Sequence, residues 1–275
     1  MKEFATKDQL FKYLKDNKSL LMAEKKAALK CADALSYGSL STSVITKSGI
    51  NKAIAEIEAP ELDKLKVKIV INTTNLLDSH GDVHIPGLWN KTLKEQKLIY
   101  HIQEHCLKFE NVISDEVIAT AQSMLWSELG ESFTGKTEAL IFDSVVSEDR
   151  NEFMFEQYLK GYVKQHSVGM RYVTLYLCLN SDERYYAEEK DNWDKYITQV
   201  ANVDCANEQG YFWAVTEAKL IEGSAVVLGS NSSTPTLQVN EFVPSDDTQN
   251  KDKTADPVTV EEIRIEKLAN YLKNN

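Results

Sequence analysis

The sequence predicts an α+β, β-rich fold: a strand-rich middle with few helices, a helical N-terminal arm and a polar C-terminal tail. Three observations predict it. Residues 6 to about 35 repeat apolar side chains at helical spacing. Most apolar stretches from 44 to about 228 alternate with polar residues, as half-buried strands do. After Pro244 the chain turns into a run of Ser, Asp, Lys, Thr and Asn. A length of 275 residues suits one sizeable domain with appendages, and a hydrophobic fraction of 43% excludes a wholly disordered chain. The expected division is an arm at 1–40, a main domain at 41–243, and a linker with a short helix at 244–275.

In the arm, Leu10, Phe11 and Leu14, then Leu20, Leu21, Ala27 and Ala28, recur at helical spacing with a break at 16–19, which predicts a helical hairpin or arm. A Ser/Thr/Gly-rich joint follows at 36–43. Alternation predicts strands at 44–46, 52–58 and 66–71, then a hairpin of 117–126 and 138–146 around the turn LGESFTG at 129–135. A helix is expected at 88–95. Another is expected at 150–162, with Phe153, Phe155, Tyr158 and Leu159 as its apolar stripe and Gly161 near its end. Strands resume at 167–179 and 212–228, with a helix inserted at 192–206. An amphipathic helix closes the tail at 258–272, and there is no internal repeat.

A net charge of −11, from 31 basic and 42 acidic residues, argues against a direct nucleic-acid binder. The four cysteines are scattered without a CxxC pair, as free thiols in a reducing compartment would be. No window reaches the roughly 18 apolar residues of a membrane span, and the first residues lack the apolar core of a secretory signal. The expectation is a soluble intracellular protein.

Few residues invite chemistry. Ser167 sits in QHSVGM (165–170), where a helix is expected to give way to a strand, and Gly169 permits close approach of backbone or substrate. A serine at a strand start is ordinarily a polar surface residue. His166 adjoins it, but adjacent strand residues face opposite ways. His101 and His105 occupy HIQEH (101–105), which fits H-x-x-E-H: on a helix the two imidazoles would share a face and grip one Zn²⁺, with Glu104 as base. Glu222 is a charge set between Ile221 and the run Ala225 to Leu228, and needs a partner if buried. Cys106 reads as a packed thiol, Arg171 as a surface residue, and the four tryptophans as core or groove lining.

Taken together, DSHGDVHIPG (78–87), a histidine at 105, QHSVGM (165–170) and LIEGSAVVLGSN (220–231), in this order, resemble the prohead protease family of tailed bacteriophages, over roughly residues 44–231. These are serine proteases that process scaffold and capsid proteins inside an immature shell. The resemblance implies Ser167 as nucleophile, His105 as general base with His101 as its understudy, and Glu222 as the orienting carboxylate. It implies that His80 and His84 are surface histidines of a structural loop. Ser114 stands where the family's pattern has glycine. The implied fold is a β-barrel ringed by helices, like that of the herpesvirus assembly proteases, although periodicity alone is equally compatible with a sandwich. The resemblance further implies no cofactor and no metal. Its substrates would be the phage scaffold protein, the major capsid protein and the protease itself. The enzyme would act as a homodimer in the host cytoplasm inside the prohead, with the linker after Pro244 as a self-cleavage zone. Two other readings stand beside it: a zinc-dependent hydrolase through His101 and His105, and a catalytically inactive protease-fold scaffold or minor capsid protein.

Overall fold

The computed structural model describes residues 4–29, 63–95 and 98–241. The joint at 36–43, the strands expected at 44–46 and 52–58, the polar linker and the helix expected at 258–272 lie outside the described residues. Two sheets form the body. The first contains β1 (Lys64–Thr73), β5 (Val117–Leu125), β6 (Lys136–Ser147) and β9 (Thr236–Glu241), in the order β5-β6-β1-β9 with every neighbour antiparallel. The expected hairpin is β5–β6.

The second sheet is built on β8 (Tyr211–Val226). The long strand β7 (Gln165–Leu179) runs antiparallel along one edge of β8. On the other edge two short parallel strands lie end to end, β2 (Asp82–His84) and β3 (His101–Gln103), and β4 (Val112–Ser114) pairs with β3. Sequence periodicity does not reveal β2, β3 or β4, because a three-residue strand shows no period.

The sheets enclose the main core, where Ile69, Ile71, Leu140 and Phe142 meet Val168, Met170, Leu220 and Ala225. Gly223 marks the closest approach: a Cβ there would lie 2.3 Å from the Phe142 ring. Helix α4 (Glu152–Leu159), capped by Asn151 accepting the Met154 N–H at 3.0 Å, contributes Met154, Phe155 and Tyr158. Helices α5 (Ala187–Tyr196) and α6 (Val203–Gln209) cover a second cluster, in which Trp193, Tyr196 and Ala206 pack on Cys178, Phe212 and Ala214. The single helix expected at 192–206 is thus two, separated by a 3₁₀ turn at Ile197–Gln199. The helix expected at 88–95 shortens to α3 (Asn90–Glu95).

The N-terminal arm is the expected helical hairpin, α1 (Lys7–Asp16) and α2 (Lys18–Ala27), and it is docked. Phe11 and Leu14 are buried in the main core, and Lys15 and Lys18 both bond the buried Glu189 carboxylate, at 2.6 and 2.8 Å. No helix among the described residues is long and apolar enough to cross a membrane.

The architecture is therefore α+β, as expected, but no barrel closes among the described residues. The reason lies at 234–236. Thr234 and Pro235 meet the start of β7, through the His166 N–H to the Thr234 carbonyl at 3.1 Å and an isolated Gln165–Pro235 bridge. The Pro235 carbonyl then accepts the Val70 N–H at 3.0 Å, and the chain continues along β1 as β9. The two sheets thus touch at this corner through an isolated bridge and share no ladder.

Candidate active site

The site forms where β3 ends beside β8. A strand continued from His101 through Gln103 would set residue 105 on the core side, where His101 and Gly223 lie opposite each other. Instead Glu104 (φ 51°) and His105 (φ 55°) both adopt the left-handed conformation. Two consecutive non-glycine residues there cost about 1–3 kcal/mol each, and persist only where surroundings over-determine them. Here the Glu104 N–H donates to the Ala225 carbonyl and the His105 N–H to Ser224 Oγ, both at 3.0 Å. The turn carries the imidazole across to the opposite face of β8.

On that face His105 Nδ1 bonds Glu222 Oε1 at 2.6 Å, and Ser224 Oγ donates to Glu222 Oε2 at 2.7 Å. Glu222 is 1% exposed, and each of its carboxylate oxygens has a donor, as a buried charge requires. Its side chain needs the space over Gly169, where a Cβ would fall 1.9 Å from Oε1. Gly169 therefore makes room for the carboxylate, which corrects the expectation that it admits backbone or substrate. Register places Ser167 on the same face: Ser167 pairs with Ser224, and Gly169 with Glu222. The structure thus joins His105 to Glu222 directly and sets Ser167 on the same face of the ribbon, opposite Ser224. The Ser167 hydroxyl makes no hydrogen bond among the described residues. On the core side of β7, Val168, Met170 and Tyr172 wall a narrow pocket that residue 167 borders together with Asn72, His84 and Asn231, and its free volume of ≈ 20 Å³ is room for about one water.

The opposite, core-facing side of the sheet holds His101, on β3, and His166, on β7. His101 Nε2 and His166 Nε2 both bond the Tyr158 hydroxyl at 2.9 Å; His101 Nδ1 bonds Ser144 Oγ at 3.1 Å and His166 Nδ1 the Thr234 carbonyl at 3.1 Å. A carbonyl only accepts, so His166 carries its proton on Nδ1 and accepts from Tyr158, which in turn accepts from His101 Nε2–H, while Ser144 donates to His101 Nδ1. Every hydrogen is assigned with both rings neutral. Burial pushes His166 down to about 4 against the pull of the Thr234 carbonyl. Burial, and His166 after it, holds His101 well below the usual imidazole range.

This network removes His101 as an alternative base, since both its nitrogens are engaged on the wrong face. It also corrects the helical reading of HIQEH: the segment is a strand ending in a left-handed turn, His101 and His105 face opposite ways, and the described residues contain no group of three His, Cys, Asp or Glu able to hold a metal. Ser114 lies on β4, its hydroxyl accepting the Glu116 N–H at 3.1 Å.

The loop at 78–87 also departs from expectation. His80 is exposed, but His84 is 6% exposed and forms part of the pocket wall. His84 Nδ1 bonds Asn72 Oδ1 at 3.0 Å and Nε2 bonds Tyr172 Oη at 3.2 Å. Tyr172 donates to Asp82 Oδ2 at 2.9 Å, and Lys25 of α2 pairs with Asp82 Oδ1. Burial and the nearby Asp82 carboxylate push Asp78 up to about 7. Sequence reasoning passes over Ser224, Asn72, Tyr172, Tyr158 and Lys25. Only Ser224 leaves a signal, at two residues from Glu222 on a strand. No known protein family, curated protein or solved structure gives a significant match to the chain.

Proposed function

We propose that this chain is a serine endopeptidase in which Ser167 attacks, His105 is the general base and Glu222 orients the base. The observation that carries the reading is the 2.6 Å bond from His105 Nδ1 to a buried carboxylate, on the face where Ser167 stands opposite Ser224. With the Nδ1 proton directed at Glu222, Nε2 is the basic atom of the ring, and the carboxylate stabilises the imidazolium once it forms. Ser167 Oγ bonds to the scissile carbonyl carbon as its proton passes to Nε2, and the carbonyl electron pair moves onto oxygen. Collapse expels the amine, which takes the proton from His105. Water then repeats the sequence to release the acid and regenerate Ser167. The strained turn at 104–105 supports the reading, because backbone strain of this kind gathers at functional sites.

The substrates proposed are those of the prohead proteases: scaffold protein, major capsid protein and the chain itself, cut inside an immature phage head by a homodimer with a herpesvirus-assembly-protease-like fold. A second reading, a silent protease-fold component of the capsid, draws on the confined pocket and the unbonded Ser167 hydroxyl. One experiment separates them: intact-mass analysis of wild type and Ser167→Ala after a day's incubation, each with and without EDTA. Fragments from wild type alone, indifferent to EDTA, are expected. Fragmentation that survives Ser167→Ala, or intact protein in every tube, would sink the endopeptidase reading.

A further inference from the structure

We infer that Ser224 is a positioning residue of the proposed hydrolytic centre, a single buried hydroxyl that fixes the base His105 and the orienting Glu222 together; the inference rests on the hydrolase reading above. Ser224 lies on β8 two residues from Glu222, and so on the same face of the strand. It is 0% exposed. Its Oγ accepts the His105 N–H at 3.0 Å and donates to Glu222 Oε2 at 2.7 Å, while Glu222 Oε1 meets His105 Nδ1 at 2.6 Å. These three bonds close a ring, so the same pair of residues holds His105 at its backbone and at its imidazole.

The direction of each bond at Ser224 follows from counting protons. A backbone N–H only donates, so Ser224 Oγ receives it, and the hydroxyl's one proton goes to the Glu222 carboxylate. A hydroxyl is the smallest side-chain group that accepts one bond and donates another through a single atom; a methyl group does neither. The same bonds exclude Ser224 as a nucleophile in competition with Ser167, its partner across the ladder. Its proton is directed at Glu222 rather than at the basic ring nitrogen, and no surface is left for a substrate to reach.

Two consequences reach the chemistry. The left-handed turn at Glu104–His105 is held by the Ala225 carbonyl and by Ser224 Oγ. Any residue at 225 supplies the carbonyl, whereas the second acceptor depends on the side chain at 224. Without it the strained turn loses a fixing and Nε2 loses its aim. The second consequence concerns the proton. A hydrogen bond to the ionised form makes a carboxylate less basic, so removing the Ser224 donor leaves the His105–Glu222 pair holding its proton more tightly, whichever partner carries it. A residue that only filled space on the strand would alter neither the aim nor the proton affinity of the pair.

The test uses the full chain, with a fluorophosphonate label carried to completion to count competent Ser167 and a peptide containing a mapped self-cleavage site as substrate. Ser224→Ala is expected to lower kcat by about 10–100-fold with KM within about threefold of wild type, because Ser224 aims the base and touches no substrate. The acidic limb of the kcat/KM profile is expected to move to higher pH by about one pH unit. A kcat near that of wild type, a change confined to KM, or an acidic limb that stays in place would overturn the assignment. Should Ser224→Ala fail to fold, Ser224→Cys carries the test: the thiol is close in size but a weak donor and acceptor, so a smaller loss of kcat with the same upward move is expected, and a wild-type profile refutes. A wild type that neither labels at Ser167 nor cleaves fails at the hydrolase reading itself, and the role of Ser224 falls with it, a result distinct from an active enzyme indifferent to Ser224.

Discussion

The two faces of the β7–β8 ribbon carry nearly the same kinds of side chain and are finished in opposite ways. On the core face His166, Tyr158 and His101 form a closed series running from Ser144 to the Thr234 carbonyl, neutral throughout, with every proton assigned. On the other face Glu222, Ser224 and His105 form a short series built around a buried charge, next to a serine whose hydroxyl is uncommitted among the described residues. Residue parity sorts the β7 and β8 positions, 166 against 167 and 223 against 222 and 224, whereas His101 and His105 share a parity and are parted by the left-handed turn at 104–105. What separates a structural network from a candidate catalytic one is therefore not the presence of histidine but whether the series terminates within itself.

The contrast can be broken most severely at the nucleophile. Ser167→Ala is expected to reduce cleavage roughly 10⁴–10⁶-fold and to leave the melting temperature nearly unchanged, because the hydroxyl holds nothing in place. Parallel kinetic and thermal measurements check this, and a large drop in stability would make Ser167 structural instead. Next comes Gly169→Ala. A methyl group 1.9 Å from Glu222 Oε1 displaces the carboxylate and parts it from His105, so a rate loss of about 10²–10⁴-fold is expected with destabilisation of about 1–3 kcal/mol. Retained activity would show that Glu222 does not orient the base.

The core face is probed by Tyr158→Phe, which strands a buried His166 acceptor and a buried His101 donor together. Denaturant titration is expected to show a loss of about 2–5 kcal/mol, with kcat per folded molecule unchanged. A selective loss of turnover would mean that the two faces communicate. Acid sharpens the same contrast. His166 is held down at about 4 in the fold, below the ordinary value near 6.5 that applies when unfolded. The unfolded chain thus binds the extra proton first as pH falls. The stabilisation is whole above about 6.5 and drains away toward 4, by up to about 3 kcal/mol. Replacing His166 by Gln should flatten that part of the stability–pH curve, and an unaltered slope would refute the assignment. The smallest effect is expected at the arm: Lys15→Ala should cost about 1–2 kcal/mol, because Lys18 still holds the buried Glu189 carboxylate. Burial raises the Glu189 carboxyl, but its bonds to Lys15 and Lys18 outweigh this and leave it lowered. That contribution therefore stands above the ordinary carboxylate range and fades below it, a dependence readable from melts near pH 4 with and without Lys15.

How much of this was legible in the sequence depended on range. Strands β1, β5, β6, β7 and β8 are long enough to show alternation, and the break between α1 and α2 announces itself at 16–19. Glu222 stood out as a lone charge against an apolar run. By contrast, the reversal of His105 depends on two left-handed residues that no local pattern marks, and the same five residues read equally well as a zinc helix. His84 looked like loop surface because its partners, Asn72 and Tyr172, lie 12 and 88 residues away. The barrel expectation failed at 234–236, where the chain leaves β7 after an isolated bridge and pairs with β1 instead, a switch between partners that alternation does not mark.

Lys25 reaches Asp82 across 57 residues, His105 reaches Glu222 across 117, and Thr73 meets Asn231 across 158. During synthesis this order matters. A ribosome-bound chain that has presented the loop at 78–87, the turn at 104–105 and even Ser167 still lacks the carboxylate that aims the base and the segment that completes the pocket. The proposed hydrolytic centre is thus incompetent until residue 231 has emerged and β8 has docked, so the nascent chain is shielded from its own chemistry by topology alone.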